Sequence, residues 1–182
     1  YIMKSLEKKV ALITGGSKGI GYGIAQELLK MGIHVAITSR TLEDAQKAAL
    51  ALEKGAQNQV KVIGLKADVC DYKQQQEAVK TTEETLGNID IVIANAGLGI
   101  FGNIEDITIE AWNQVIDTNL TGVFYTLKST LNSLKKTKGY YITISSLAGT
   151  NFFAGGTAYN ASKFGVTGFT QAAMLDLRSH GI

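Results

Sequence analysis

Lys9-Val10-Ala11-Leu12-Ile13-Thr14-Gly15-Gly16-Ser17-Lys18-Gly19-Ile20-Gly21 is an apolar run that feeds directly into glycines. A short continuous apolar run bounded by turn residues reads as a strand buried on both faces, the kind found in parallel sheets. Apolar residues then recur at helical spacing (Ile20, Ile24, Leu28, Met31) and stop at Gly32, a C-terminal helix signal. Working outward, the same alternation repeats. His34–Ser39 reads as a second strand, and Thr41 with Asp44 three residues on caps a helix to about Lys54. Val60–Ala67 is a third strand, and Asp71 with Gln74 opens a helix ending before Gly87. Ile89–Ala94 is a fourth strand. A long helix from about Thr108 holds Trp112, Val115, Ile116, Leu120 and Phe124. Tyr140–Ile144 is a fifth strand, and Thr157–His180 a last helix. Strand and helix alternate with short connections, so the fold class expected is α/β: a doubly wound parallel sheet in a three-layer α/β/α arrangement, over residues 1–182 as one domain.

The 182 residues suffice for one sizeable core, and 45% hydrophobic with 19% charged residues is an ordinary globular balance. Net charge is only +2 and the basic residues are scattered, which argues against a nucleic-acid footprint. Cys70 is the single cysteine; it excludes an intramolecular disulfide and fits a reducing compartment. Apolar stretches are too short to cross a bilayer, and Tyr1–Lys9 lacks the apolar core of a secretory signal. No membrane association and a cytoplasmic location are therefore expected. Neither His34 nor His180 lies near the other polar elements, so no metal cluster is expected.

Glycines between a strand and a helix suit a tight turn and close approach of a pyrophosphate, with the amides at the helix start as donors. A nucleoside-triphosphate loop would end in Gly-Lys-Ser/Thr, whereas Gly21 is followed by Tyr22-Gly23. At the end of the second strand an acid would bind a ribose 2′-hydroxyl, and an arginine would accommodate a 2′-phosphate. Ser39-Arg40 occupies that place and Lys18 adds a cation within the loop; Glu43 and Asp44 already belong to the next helix. The pair favours NADP(H), against the plainer alternative of two solvated surface charges.

Tyr159 and Lys163 are four residues apart and share one helix face, with Ser146 thirteen residues upstream of the tyrosine. A phenol ionises near pH 10 and exchanges protons poorly at neutrality. An ammonium about 4 Å away, at an effective dielectric of roughly 20, favours the phenolate by at most about 4 kcal/mol. Tyr159 is thereby a candidate general acid/base. Taken with the Thr14–Gly21 loop, Asp68, Asn95-Ala96-Gly97, Asn119 and Ser146, the chain resembles the short-chain dehydrogenase/reductase family in its single-domain, nicotinamide-using form. The resemblance runs over nearly the whole chain and is nearest in style to 3-oxoacyl-[acyl-carrier-protein] reductases and general ketone reductases.

That resemblance implies a set of roles. Thr14, Gly15, Ser17, Lys18, Gly19, Ile20, Gly21, Ser39 and Arg40 would hold the phosphates of NADP(H). Asp68 and Val69 would meet its adenine end, and Asn95, Ala96 and Gly97 would line the ring. Ser146 would hydrogen-bond the substrate carbonyl, Tyr159 would donate the proton, and Lys163 would hold the ribose hydroxyls. Asn119 would anchor a water in a proton relay. Two of these residues have plainer readings, and a third has a neighbour of the same type. Asp68 is a common turn former, Asn119 could be a buried amide satisfying backbone groups, and Ser145 neighbours Ser146, the thirteen-residue spacing deciding between them. Ala94 stands where the family often has a first Asn before Asn95.

The substrate implied is a small carbonyl or alcohol, an acyl thioester among the candidates; the largely apolar Leu98–Phe101 and Leu147–Gly156 point to an apolar one, beside the equal alternative of loop aromatics that pack on the core. Family members commonly pair through the helices that here carry Asn119 and Tyr159, so a homodimer or homotetramer is expected. Proline is absent, and the sequence stops at Gly181-Ile182, where the family runs on through two more strands. An incomplete copy is the expectation. It leaves a second reading beside the enzyme: a non-catalytic dinucleotide-binding relative or an inactive fragment.

Overall fold

The structure, a computed structural model, describes residues 6–56 and 59–182; of the segment read above for a secretory signal, residues 1–5 lie outside these. Its centre is a five-stranded sheet, all parallel, in the order β3-β2-β1-β4-β5. The strands are β1 (Val10–Ile13), β2 (His34–Ser39), β3 (Val62–Lys66), β4 (Ile91–Ala94) and β5 (Tyr140–Thr143). The helices are α1 (Gly19–Lys30), α2 (Leu42–Gly55), α3 (Tyr72–Leu86), α4 (Ile109–Ile116), α5 (Gly122–Thr137) and α6 (Thr157–Leu177).

Side chains alternate across the sheet and build a core on each side. On one face Ala11, Ile13, Val35, Ile37, Ile91 and Ile93 pack against Ala25 and Leu29 of α1 and Ala48, Ala49 and Leu52 of α2. On the other, Val10, Leu12, Ala36 and Val92 meet Val79 of α3, Leu127 and Leu134 of α5, and Phe169 and Ala173 of α6. Ile13, Ile37 and Val92 are fully buried, each worth about 1.5–3 kcal/mol relative to exposure. The outermost strand differs: Tyr141 and Thr143 of β5 are half-buried, while Tyr140 and Ile142 are exposed. The Tyr141 hydroxyl donates to the Val123 carbonyl at 2.6 Å, and burial pushes its ionisation well upward.

The helix starts read at Thr41 and Asp71 are capped, and Thr108 caps a third helix. Thr41 Oγ1 accepts the Asp44 amide at 3.3 Å, Asp71 Oδ1 accepts those of Lys73 and Gln74, and Thr108 Oγ1 accepts that of Ala111. Two helices differ from the sequence reading. The single long helix expected from Thr108 is split by a wide π turn at Asp117–Thr121 between α4 and α5. The cause lies in two residues. The Asn119 side chain is held from outside the helix, and Gly122 fits over Val69, whose Cγ2 would lie 2.8 Å from an added Cβ. The last helix is α only to Leu177, then 3-10 at Arg178–His180, ending at Gly181 in the left-handed region.

Strand order reverses between β1 and β4, each the start of a march in opposite directions. That switch point opens a crevice at the carboxyl ends of the strands, where such sheets bind ligands.

Candidate active site

The loops after β1 and β4 are latched together across the switch point. Thr14 Oγ1 accepts the amides of Asn95 and Ala96, each at 3.1 Å, and Asn95 Nδ2 donates to the carbonyls of Thr14 (2.9 Å) and Gly15 (3.1 Å). Above this floor lies an open cleft of about 1270 Å³. Of the residues singled out from sequence, Gly15, Ser17, Lys18, Ile20, Ser39, Arg40, Asp68, Val69, Asn95, Ala96, Gly97, Tyr159 and Lys163 line it. Thr14 and Gly21 are buried beneath, and Asn119 is buried behind. Gly19 and Ser146 are exposed but are not among the lining residues.

The start of α1 is shaped for an anion. Its N-cap, Lys18, offers no side-chain acceptor, and the first turn carries no acid, in contrast to α2 with Thr41, Glu43 and Asp44. The amides therefore keep their donors and the positive end of the helix dipole free. Gly19 has φ +61° and open space where a Cβ would stand, a cradle that any side chain would fill. Gly21 is the reverse case: a Cβ there would lie 2.5 Å from Asn95 Nδ2 and 2.9 Å from the Gly15 carbonyl oxygen. One glycine keeps the loop open and the other keeps it closed down on β4. Ser17 and Ser39 approach through their hydroxyls at 3.4 Å. Among the described residues, Arg40 and Lys18 form no ion pair, so two cations stand at this end of the cleft. Asp68 lines the cleft and also builds a turn, accepting the Cys70 amide at 2.9 Å.

At the other end, Lys163 is 6% exposed, its Nζ donating to the Ile144 carbonyl at 2.8 Å and standing 5.8 Å from the centroid of the Tyr159 ring. Burial lowers the Lys163 ionisation. The Tyr159 hydroxyl has no hydrogen-bond partner among the described residues and borders the cleft. The two serines separate by their bonds. Ser145 Oγ is tied back to Thr167 Oγ1 at 3.3 Å, whereas Ser146 Oγ accepts the Ala148 amide at 3.2 Å and keeps its own proton to donate. Asn119 is fully engaged: Oδ1 accepts the Leu98 amide (2.8 Å), and Nδ2 donates to the Leu98 carbonyl (2.8 Å) and Ser162 Oγ (3.0 Å). Its side chain thus fastens the loop after β4 to the π turn and to α6.

Sequence reasoning missed Asn160. Asn160, beside Tyr159, is buried and donates to the Ala148 and Asn151 carbonyls, which fixes the loop after β5. Asn160 stands in the first turn of α6 between Tyr159 and Ala161, where asparagine is ordinary, so nothing in the sequence marked it. Phe101, read above as part of an apolar loop flanking the site, brings its ring against that of Tyr159. Among the described residues there is no group of His, Cys, Asp and Glu that could hold a metal ion, and no helix long and apolar enough to cross a membrane.

Known proteins resemble this chain over nearly its whole length. The profile of the short chain dehydrogenase family matches residues 9–182. Glycine betaine reductase ATRR of Emericella nidulans is 38% identical over 97% of this chain, which spans only 14% of that much longer protein. Trans-4-hydroxycyclohexanecarboxylate dehydrogenase of Sinomonas cyclohexanicum is 35% identical over 96% of this chain and 69% of its own length. The solved structure of an alcohol dehydrogenase from Thermococcus sibiricus, complexed with 5-hydroxy-NADP, superposes with a TM-score of 0.87 at 33% identity, covering 92% of this chain and 71% of that one. With the motif set, the parallel sheet and these relatives in agreement, the chain belongs to the short-chain dehydrogenase/reductase family.

Proposed function

We propose that this chain binds NADPH along the cleft and reduces a ketone to a secondary alcohol, the same residues serving the reverse oxidation. When bound, the nicotinamide supplies the hydride. The open amides of α1 and Gly19 hold the pyrophosphate, and Lys18 and Arg40 the 2′-phosphate. Asp68 and Val69 meet the adenine end, and Asn95, Ala96 and Gly97 the middle. Lys163 spends one of its three N–H donors on Ile144 and keeps two for the ribose hydroxyls. Ser146 donates to the substrate carbonyl oxygen, and Tyr159 delivers the proton that turns that oxygen into a hydroxyl, to be replaced from solvent. Asn119 keeps the Leu98 loop in place, and the water relay implied by the resemblance would have to use groups other than its engaged amide.

The observation that carries this reading is the unpartnered Tyr159 hydroxyl at the cleft with the buried Lys163 ammonium beside its ring. The NADP analogue bound by the Thermococcus sibiricus enzyme supports the choice of nucleotide. The apolar loops after β4 and β5 support an apolar carbonyl substrate over a polyhydroxylated one. Exposed Ile109, Trp112, Phe124 and Phe164 on α4, α5 and α6 support pairing of two copies through these helices, which sedimentation would test. The single cysteine supports a cytoplasmic location.

Tyr159→Phe tests the reaction. It should keep NADPH binding and lose carbonyl reduction by at least about a hundredfold. Unchanged reduction would remove Tyr159 from the chemistry.

A further inference from the structure

Two rings above the cleft hold each other in place. Phe101, from the loop after β4, stands against the Tyr159 ring with centroids 5.4 Å apart at 62°, and leans on Phe153, from the loop after β5, at 5.9 Å and 48°. Each of these two phenylalanines rests on a glycine. A Cβ on Gly99 would fall 2.6 Å from Phe101 Cζ, and one on Gly156 would fall 2.6 Å from Phe153 Cζ, so any side chain at either place displaces a ring. The two loops are joined between the rings: the Gly102 amide donates to the Gly155 carbonyl at 2.9 Å, and Gly102 pairs with Gly156 as an isolated bridge. Asn160 holds the second loop from below, accepting the Phe153 amide at 3.4 Å.

All this organisation holds rings that the core does not use. Phe101 is 60% exposed and Phe153 48% exposed, and Phe101 belongs to the cleft wall with Tyr159 and Lys163. We propose that Phe101, backed by Phe153, is the specificity-determining wall of the substrate site, and that it selects ketones whose carbonyl carries an aryl or alicyclic ring. This rests on the oxidoreductase reading above. Phe101 keeps more than half of its surface exposed on the cleft side, and an aryl ring lying against it extends the tilted packing that aromatic groups favour at centroid separations of about 4.5–7 Å. Entry of such a ring also removes the exposed face of Phe101 from water beside the reacting hydroxyl. A polyhydroxylated carbonyl would strip water from its hydroxyls against the same rings and find no partner there.

The test is calorimetric binding of acetophenone and of dihydroxyacetone to the 182-residue chain in saturating NADP⁺, for the wild type, Phe101→Ala and Phe153→Ala, with NADPH titrated into each. The wild type should prefer acetophenone by about tenfold or more. Phe101→Ala should erase most of that preference while leaving dihydroxyacetone and NADPH binding unchanged, and Phe153→Ala should erase part of it. Retained NADPH binding shows that a variant is folded. Equal wild-type affinity for the two ketones, or equal weakening of both by Phe101→Ala, with NADPH binding intact, overturns the assignment and leaves the oxidoreductase reading standing. A wild type that binds no NADPH overturns both.

Discussion

Lys163 Nζ reaches from α6 to the Ile144 carbonyl oxygen, 2.8 Å away, just beyond the end of β5. This bond joins the Tyr159 helix to the rim of the sheet, beside the Thr143–Thr170 and Ser145–Thr167 hydroxyl contacts. The ammonium is buried to make it, and burial lowers its ionisation. A cation kept under such conditions works against the fold.

Lys163→Met should therefore abolish reduction and weaken NADPH binding without loss of thermal stability near neutral pH. The pH dependence has a definite sign. A lysine whose folded ionisation is depressed contributes most stability above its ordinary value of 10.5, and that contribution is lost as pH falls through the folded value. Wild-type unfolding midpoints should thus gain relative to those of Lys163→Met as pH rises toward 10.5, read from paired thermal melts.

Gly19 and Gly21 should respond differently to alanine. Gly21→Ala meets Asn95 Nδ2 and the Gly15 carbonyl, an overpacking of about 1–3 kcal/mol, visible in denaturant melts. Gly19→Ala enters open space and bears only the strain of φ +61°, about 1 kcal/mol, yet it should lower NADPH affinity about tenfold or more by filling the cradle before α1.

These contrasts mark what the sequence made legible. Strand and helix alternation, the helix starts at Thr41 and Asp71, and the glycine loop are local patterns, and the structure has each where the spacing placed it. The π turn was not legible, because it depends on Asn119 bonding to Leu98, distant in sequence. The Lys163–Ile144 bond and the Phe101–Tyr159 contact are tertiary in the same way. No period of three or two announces them. Asn119 illustrates the middle ground: its oddity in a helix was visible, and its partners were not.

Arg40 should discriminate between the two nucleotides. A charge-assisted bond to a 2′-phosphate is worth about 1.5–3 kcal/mol, so Arg40→Ala should lower NADPH affinity by about tenfold to a hundredfold and leave NADH nearly unchanged. Equal losses for both would move the 2′-phosphate site away from the end of β2.

His34 should make the edge of the sheet sensitive to acid. Its Nδ1 accepts the Lys61 amide at 2.9 Å, and burial, then Lys61 and Lys8, lower its ionisation below the ordinary 6.5. A depressed folded value means that this contribution is intact above 6.5 and lost as pH falls through the folded value. Wild-type melts should weaken over that interval, and His34→Gln should flatten the profile.

The most direct measurement is fluorescence titration of the 182-residue chain with NADPH and, in parallel, NADH. The account predicts saturable binding of NADPH, tighter than that of NADH. Binding of neither nucleotide would contradict it, because the cleft built by the glycine loop, Arg40 and Lys163 would then not be a working cofactor site.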